Sequence, residues 1–364
     1  MAMTAKRMYA QSLTACEDMI VAMGTQQTIL MQGHMGIGKT SILKALAERL
    51  PNHIPCYFDC TTKDLGDISI PNVMQLDGAD FVQYVPNEEF GVHTGKPVIL
   101  MIDEFGKANP AVKNALLRVI LERQVGNKPL PKDSIVIATT NLGAEGVGDL
   151  LPAHALNRLT VIEVAKPTPD EWVEWGIANE VDPIVLAWAR NNDKAFADFR
   201  DVEDPDDNDF IYHPRSQRAA FVTPRSLEAA SHWFKARDQF GDRSLQAALI
   251  GTIGEAAGGD MMAFARLAEQ LPSIDSIKND PLSAIVPTSA GAVMMVVYKV
   301  LSTLERDWVD QCMDYMLRLS KEAQGVFANG VRAKKYAKQS IVMQNRKFTQ
   351  WAMDNNYLFT ADVK

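Results

Sequence analysis

The segment from residue 28 to residue 46 restricts the possible folds more than any other part of the chain. It reads TILMQGHMGIGKTSILKAL, so an apolar run leads into a glycine-rich turn and a helical pattern follows. A continuous apolar run is typical of a strand that is buried on both faces. A buried strand, a tight turn and a helix in this order predict a unit of an α/β domain.

The turn fits the phosphate-binding pattern G-x-x-x-x-G-K-[ST]. Its glycines let the backbone N–H groups point inward, and the start of the helix adds a partial positive charge. Lys39 can reach the β- and γ-phosphates of a nucleotide, and the Thr40 hydroxyl can bind Mg²⁺. We therefore predict that this loop binds the nucleotide through Gly33, Met35, Gly36, Ile37, Gly38, Lys39, Thr40 and Ser41.

Two acidic residues follow a second strongly apolar strand. The stretch VILMIDE ends with Asp103 and Glu104, at a place where buried carboxylates are costly unless they have partners. Beside a magnesium-bound nucleotide, Asp103 can support the metal ion and Glu104 can polarise the attacking water. We therefore predict that Thr40 and Asp103 serve the metal and that Glu104 is catalytic.

Three further polar residues are catalytic candidates. Asn141 ends the strand IVIATTN, which we expect between the other two strands, so its amide can orient the water or contact the γ-phosphate. Arg158 lies between a short predicted helix and a later strand. It is either a catalytic residue or a cation that stabilises the C-terminus of that helix. Arg225 lies in the first turn of a predicted helix, where a cation opposes the helix dipole and needs an anion nearby. A nucleotide phosphate or Glu228 can provide that anion.

The pattern of predicted elements changes after residue 167. Five short apolar strands alternate with helical segments in residues 1–167, which predicts a doubly wound α/β domain with a parallel five-stranded sheet. Only helical patterns follow. We expect an all-α lid domain at residues 168–289 and a helical C-terminal extension at residues 290–364.

Charge and cysteine content narrow the function. The net charge of −8 argues against a dedicated nucleic-acid binder, although residues 331–347 form a local basic cluster. The four cysteines are scattered and lack neighbouring metal ligands. The N-terminus has the pattern of an amphipathic helix rather than a signal peptide, so we expect a cytoplasmic protein. The longest apolar run, which begins at Ala290, is too short to span a bilayer.

The motifs resemble those of the AAA+ ATPases and, within them, those of the MoxR-like group. GHMGIGKT resembles their Walker A motif, VILMIDE their Walker B motif and IVIATTN their sensor 1. NPAVKNALLRVILERQVGNKPLPKDS is similar to the helix and pre-sensor hairpin of that group. LPAHALNRLTVIEV resembles the segment with the arginine finger, and TPRSLEAA resembles sensor 2. The resemblance covers about residues 10–275.

This resemblance implies a P-loop ATPase that uses ATP and Mg²⁺ in a homo-oligomeric ring, usually a hexamer. Glu104 would be the catalytic base, Asn141 sensor 1 and Arg225 a sensor 2 that acts in its own subunit. Arg158 would reach the site of the neighbouring subunit, which requires an adjacent copy. Residues 64–95 lie where this group carries an insert, whose loops commonly face the pore or a partner.

Three functions stay open at this point. The first is the remodelling or activation of a partner protein, often one with a von Willebrand factor A domain. The second is a nucleic-acid motor or loader, which the acidic insert disfavours and the basic cluster at 331–347 favours. The third is a slow nucleotide-dependent structural switch. The sequence does not decide between ATP and GTP.

Overall fold

The chain folds into two compact units. The structure is a computed structural model that describes residues 9–145 and 157–356, and the units are Met1–Lys166 and Pro167–Lys364. The predicted start of a C-terminal extension at residue 290 lies inside the second unit. The division of the helical part into a lid and an extension stays a prediction.

The first unit is an α/β domain built on a parallel sheet. Its strands are β1 (Ile29–Gly33), β2 (Ile54–Asp59), β3 (Ser69–Leu76), β4 (Ala79–Pro86), β5 (Val98–Asp103), β6 (Gln124–Val125), β7 (Lys128–Pro129), β8 (Ile135–Thr140) and β9 (Thr160–Val164). Five of them form one sheet in the order β2-β5-β8-β1-β9, and every pair in it is parallel. This confirms the predicted sheet.

Helices cover both faces of the sheet. They are α1 (Leu13–Met23), α2 (Ile42–Arg49) and α3 (Pro110–Glu122). Every residue of β5 is buried, and its side chains alternate between two cores. Leu100 and Ile102 pack in the core that includes α3, whereas Ile99 and Met101 pack in the core that includes α1 and α2. Full burial of such a side chain contributes about 1.5–3 kcal/mol, which explains the continuous apolar run.

Helix α3 begins where the sequence predicts. The Asn109 side chain accepts a hydrogen bond from the backbone N–H of Val112, and Pro110 is the first helical residue. An N-cap of this kind stabilises a helix by about 1 kcal/mol. The helix ends at Glu122, and the C-cap residue Arg123 has a left-handed φ of 58°. The short hairpin of β6 and β7 follows, at the place predicted for a pre-sensor hairpin.

The second hairpin of this unit lies in the predicted insert. Strands β3 and β4 pair antiparallel over their whole lengths. Their turn contains Asp77 and Gly78, both with positive φ, which matches the Asp-Gly turn that hairpins favour. These strands were not predicted from the sequence, although the Asp-Gly pair is a signal for them.

The second unit is helical throughout the part that is described. Its helices are α4 (Pro169–Ala178), α5 (Pro183–Arg190), α6 (Pro224–Lys235), α7 (Asp242–Ile253), α8 (Glu255–Ala265), α9 (Ile274–Asn279), α10 (Ala290–Thr303), α11 (Val309–Met316), α12 (Lys321–Arg332), α13 (Gln339–Met343) and α14 (Arg346–Asp354). The apolar helix α10 is largely buried and contacts α5 and α12. Among the described helices, none has the length and apolar character needed to cross a membrane.

Candidate functional site

The glycine-rich loop joins β1 to α2 and needs its glycines. Gly36 and Gly38 have φ values of 71° and 98°, a region that is costly for residues with a Cβ. A Cβ on Gly33 would lie 2.9 Å from the carbonyl oxygen of Val164, closer than real Cβ contacts. The loop is therefore a backbone shape that other residue types at these positions would disturb.

The remaining predicted loop residues divide into buried and exposed ones. Ile37 is buried in the core beneath the loop, so its side chain anchors the loop to the domain. The exposed Ser41 donates a hydrogen bond from Oγ to the carbonyl oxygen of Gly38 at 2.7 Å. Residues Lys39–Ser41 form one turn of 3₁₀ helix, which continues into α2.

The Lys39 ammonium group is buried inside the loop. Its Nζ donates to the carbonyl oxygens of Gly33 at 2.8 Å and His34 at 2.7 Å. It also donates to Oδ1 of Asn141 at 2.8 Å. An ammonium group has three hydrogens to donate, so the observed partners match its full capacity. A phosphate oxygen that binds Nζ must therefore displace or share one of them.

The Asp103 carboxylate, at the end of β5, accepts hydrogen bonds from three hydroxyl groups. Its Oδ2 accepts hydrogen bonds from Thr40 Oγ1 and from the Tyr57 hydroxyl, both at 2.9 Å. Its Oδ1 accepts a hydrogen bond from Thr139 Oγ1. Burial raises the pKa of the Tyr57 hydroxyl, and the bond to Asp103 adds to this shift, so the hydroxyl stays a donor. The predicted metal residues, Thr40 and Asp103, are therefore in direct contact.

This arrangement fits a magnesium ion that the nucleotide helps to hold. Mg²⁺ prefers oxygen ligands and is usually bound by one or two protein groups together with phosphates and water. Thr40 Oγ1 and Asp103 provide such oxygens. No cluster of three or more His, Cys, Asp or Glu side chains that could bind a metal is found in the described residues. The nucleotide would therefore complete the coordination of the ion.

Glu104 is oriented by its neighbours and remains partly accessible to solvent. Asn141 Nδ2 lies 3.1 Å from Oε1 and 3.3 Å from Oε2 of Glu104, and Lys107 Nζ lies 3.1 Å from Oε2. The Glu104 backbone N–H donates to Thr139 Oγ1 at 3.2 Å. Its φ is 52°, and such strained backbone positions in residues other than glycine are enriched at functional sites.

The strand order brings these groups together. Strand β8 lies between β5 and β1, as expected for the strand that ends at Asn141. The Asn141 amide therefore lies between the Lys39 ammonium and the Glu104 carboxylate and contacts both. Ligands of open α/β sheets bind at this carboxyl edge.

Four residues at this edge were missed by the sequence analysis. Thr139 has a signal, because it precedes Asn141 by two positions on the same strand. Tyr57 has a weaker one, because it lies on the neighbouring strand β2, opposite Met101. His34 and Glu145 contact each other across 111 positions of sequence, and no local pattern predicts this contact.

The two predicted arginines lie on other elements of the chain. Arg158 is exposed in a turn just before β9, and most of the short helix predicted to precede it lies outside the described residues. Arg225 is exposed in the first turn of α6, after the N-cap Thr223 and the first helical residue Pro224. It belongs to the second unit. The catalytic roles of both arginines stay predictions.

Comparison with known proteins agrees with the geometry. Residues 25–160 match the family model described as AAA domain (Cdc48 subfamily). This chain carries an AAA+ ATPase domain. The matched range begins just before β1 and includes Lys39, Asp103, Glu104, Asn141 and Arg158. The finer prediction, membership in the MoxR-like group, is not part of this match.

The AAA+ domain is also similar to part of bacterial chaperones. The chaperone protein ClpB of Pseudomonas putida is 30% identical over 151 residues, which are 37% of this chain and 17% of ClpB. ClpB of Mycoplasmoides gallisepticum is 28% identical over 146 residues, or 36% of this chain and 19% of that protein. The similarity therefore spans less than a fifth of either chaperone.

A solved structure of Thermotoga maritima RuvB aligns with a larger part of the chain. The alignment covers 82% of this chain and 86% of RuvB, with 16% identity and a TM-score of 0.39. A TM-score this low carries no argument about function. The similarity of sequence to the AAA domain and the geometry of the site carry the assignment.

Proposed function

We propose that this chain is a MoxR-like AAA+ ATPase that couples the hydrolysis of Mg-ATP in a homo-oligomeric ring to the remodelling or activation of a partner protein. The observation that carries the proposal is the hydrogen-bonded path from Lys39 through Asn141 to Glu104. It links the group that would bind phosphate to the group that would activate water. A protein that only switches shape slowly has little need for this connection.

The chemistry follows from where these groups lie. Lys39 neutralises charge on the β- and γ-phosphates. Glu104 accepts a proton from the attacking water as its oxygen bonds to the γ-phosphorus and the bond to the bridging oxygen of ADP breaks. Asn141 holds the Glu104 carboxylate in place. Thr40 and Asp103 would hold a magnesium ion, which would supply neutralisation of the phosphate charge.

The proposed ring rests on Arg158. Arg158 is exposed just before β9, and an arginine finger supplied by a neighbour stabilises charge in the transition state. A closed ring, with six copies as in the family that the sequence resembles, gives each site such a neighbour. Arg225 would act as sensor 2 on the nucleotide of its own subunit.

The partner is proposed to be a protein rather than a nucleic acid. Hairpin β3–β4 exposes large apolar side chains on both strands: Ile70, Val73, Met74, Leu76, Phe81, Val82, Tyr84 and Val85. Its charged residues are Asp77 and Asp80, which repel phosphates. Exposed apolar patches of this kind mark protein contacts. A partner with a von Willebrand factor A domain in the cytoplasm is the expectation from the resemblance.

Mixing two inactive variants tests hydrolysis in a ring. Glu104→Gln should bind ATP with wild-type affinity and lose turnover by about 100-fold or more, because the carboxylate that takes the proton is gone. Arg158→Ala should also bind and fail to turn over. Mixed rings should recover part of the activity, because an Arg158→Ala site regains a finger from a Glu104→Gln neighbour. Rates are measured with ATP and with GTP.

The control for mixing is Lys107→Ala combined with wild type, which should give the average of the two separate rates. Wild-type turnover by Arg158→Ala alone would contradict the finger assignment. Absence of any recovery, with both variants in assemblies of the same size by analytical ultracentrifugation, would contradict sites shared between subunits.

A trap experiment tests the partner. Glu104→Gln with ATP and Mg²⁺ should retain a partner protein from host lysate that is absent without ATP. The matched control carries Phe81→Ser and Val82→Ser in addition and should lose the partner while still binding ATP. Recovery of nucleic acid that is released by raised salt would instead support the motor.

A further inference from the structure

Glu145 holds the glycine-rich loop from outside. It ends the one-turn 3₁₀ helix Gly143–Glu145, which follows β8. Its Oε2 accepts a hydrogen bond from the backbone N–H of Met35 at 2.8 Å. Its Oε1 lies 2.8 Å from Nδ1 of His34. The Glu145 and His34 side chains are only 1% and 5% exposed.

A carboxylate buried to this degree is stable only with partners. Removal of a carboxylate from water costs several kcal/mol unless hydrogen bonds or opposite charges replace the water. Both Glu145 oxygens have their partners on the glycine-rich loop, at His34 and Met35. The contact therefore stabilises the particular loop conformation in which the two donors point toward Glu145.

The loop needs this kind of support because glycines give it freedom. Gly33 precedes the two contact residues and Gly36 follows them, and Gly36 already has a positive φ. Glycine has the largest conformational entropy to lose, so a loop with free glycines samples many shapes. A hydrogen bond that a backbone N–H donates to a carboxylate is among the stronger kinds. It fixes the loop at its second and third residues.

The same short segment also contacts the catalytic groups. This segment comprises residues 139–145. Thr139 binds Asp103, Asn141 binds both Lys39 and Glu104, and Glu145 binds the glycine-rich loop. The conformation of the loop is therefore tied to the segment that orients Glu104.

We propose that Glu145 is a positioning residue of the nucleotide site, which holds the glycine-rich loop in its phosphate-binding shape through Met35 and His34. This inference rests on the proposed function only in that the loop binds a nucleotide. Glu145 acts through the backbone of the loop rather than on the reacting atoms. Its loss therefore affects the binding of the nucleotide more than the chemical step.

Three variants of Glu145 test this role. Glu145→Ala should raise KM and Kd for ATP about tenfold, because the loop then loses more conformational entropy when ATP binds. The value of kcat should change less than about threefold. Glu145→Gln should stay within about threefold of wild type in Kd. Its amide oxygen can accept from Met35 N–H, and its NH₂ group can donate to Nδ1 of the His34 tautomer that carries its proton on Nε2.

Glu145→Asp keeps the charge and shortens the side chain by one methylene. It should weaken ATP binding by an intermediate factor, because one carboxylate can no longer reach both donors. This variant decides the question if Glu145→Ala fails to fold. The matched control is Glu122→Ala, which removes an exposed carboxylate of α3 that pairs with Arg118 and should leave Kd, KM and kcat unchanged.

Kd is measured by isothermal titration with ATP in the Glu104→Gln background, and KM and kcat are measured in the wild-type background. Wild-type Kd in both Glu145→Ala and Glu145→Asp would overturn the positioning role while the proposed function stands. So would a fall in kcat at unchanged KM. Absence of ATP binding by the parent protein and by Glu122→Ala would overturn the proposed function itself and this inference with it.

Discussion

The nucleotide site and hairpin β3–β4 depart from the usual distribution of residues in opposite directions. At the site, Lys39, Asp103, Asn141 and Glu145 are polar side chains that are buried. On the hairpin, Ile70, Met74 and Phe81 are large apolar side chains that are exposed. Both regions are connected to strands of the same five-stranded sheet in one domain. The difference in burial therefore does not come from different folds.

The physical cost of the two departures is also different. The side chains of Lys39, Asp103, Asn141 and Glu145 are all hydrogen-bonded, so their desolvation is offset within the domain. Within the described residues, the exposed apolar groups of the hairpin have no such compensation, and a further surface is needed to bury them. These four buried polar groups thus have their partners within the domain, whereas the hairpin is the surface that we propose for a partner protein. Four experiments, ordered by expected effect, test this contrast.

Replacement of a buried residue of the five-stranded sheet should have the largest effect on the stability of the protein. Ile102 is 0% exposed and Ile70 is 64% exposed. Ile102→Ala should lower the free energy of unfolding by about 2–5 kcal/mol, because it leaves a cavity next to α3. Ile70→Ala should change it by less than about 0.5 kcal/mol. Urea denaturation of both variants measures the difference, and equal losses would show that the hairpin is packed within the chain.

Removal of the Lys39 ammonium should abolish nucleotide binding. Lys39→Ala should weaken ATP binding by about 100-fold or more, which is about 2.7 kcal/mol, because no other described lysine lies in the loop. Isothermal titration measures the loss. Lys44→Ala on the exposed face of α2 is the control for the loss of a nearby positive charge and should bind normally. Tight ATP binding by Lys39→Ala would place the nucleotide elsewhere.

Replacement of Thr139 tests whether the buried polar groups act together. Thr139 donates to Asp103 and accepts from the Glu104 N–H, and Thr139→Val leaves both without this hydroxyl. We expect a loss of about 1–3 kcal/mol in stability and a fall in kcat larger than the change in KM. Thr139→Ser restores the hydroxyl and should recover both quantities. Unchanged kcat in Thr139→Val would exclude a role in positioning Glu104.

Substitution on the hairpin should have the smallest effect on the isolated protein. Val73→Ser and Val82→Ser, which face each other across the two strands, should change the melting temperature and the basal ATPase rate very little. The expected effect is on the ATP-dependent retention of a partner by the Glu104→Gln trap. A large loss of stability, measured by calorimetry, would mean that the hairpin is structural rather than an interaction surface.

Much of the fold and the site could be predicted because its signals are local. The shape of the glycine-rich loop depends on residues that can adopt positive φ. Gly36 and Gly38 lie within three positions of each other and indicate this shape directly. Asn109 and Pro110 mark the start of α3 in the same way. The placement of Asn141 between Lys39 and Glu104 followed from the order of strands expected for this domain, and the structure confirms it.

The remaining features of the site and of the hairpin could not be predicted from local sequence patterns. Sequence by itself determined that Asp103 and Asn141 lie at the ends of strands of the parallel sheet, because apolar runs and their polar ends are set by burial along a few neighbouring positions. Only the tertiary structure decided that Glu145 contacts His34 and Met35, that Tyr57 binds Asp103, and that β3–β4 stays exposed. These contacts join residues that are 46 to 111 positions apart in sequence, and no local propensity encodes how the chain brings them together.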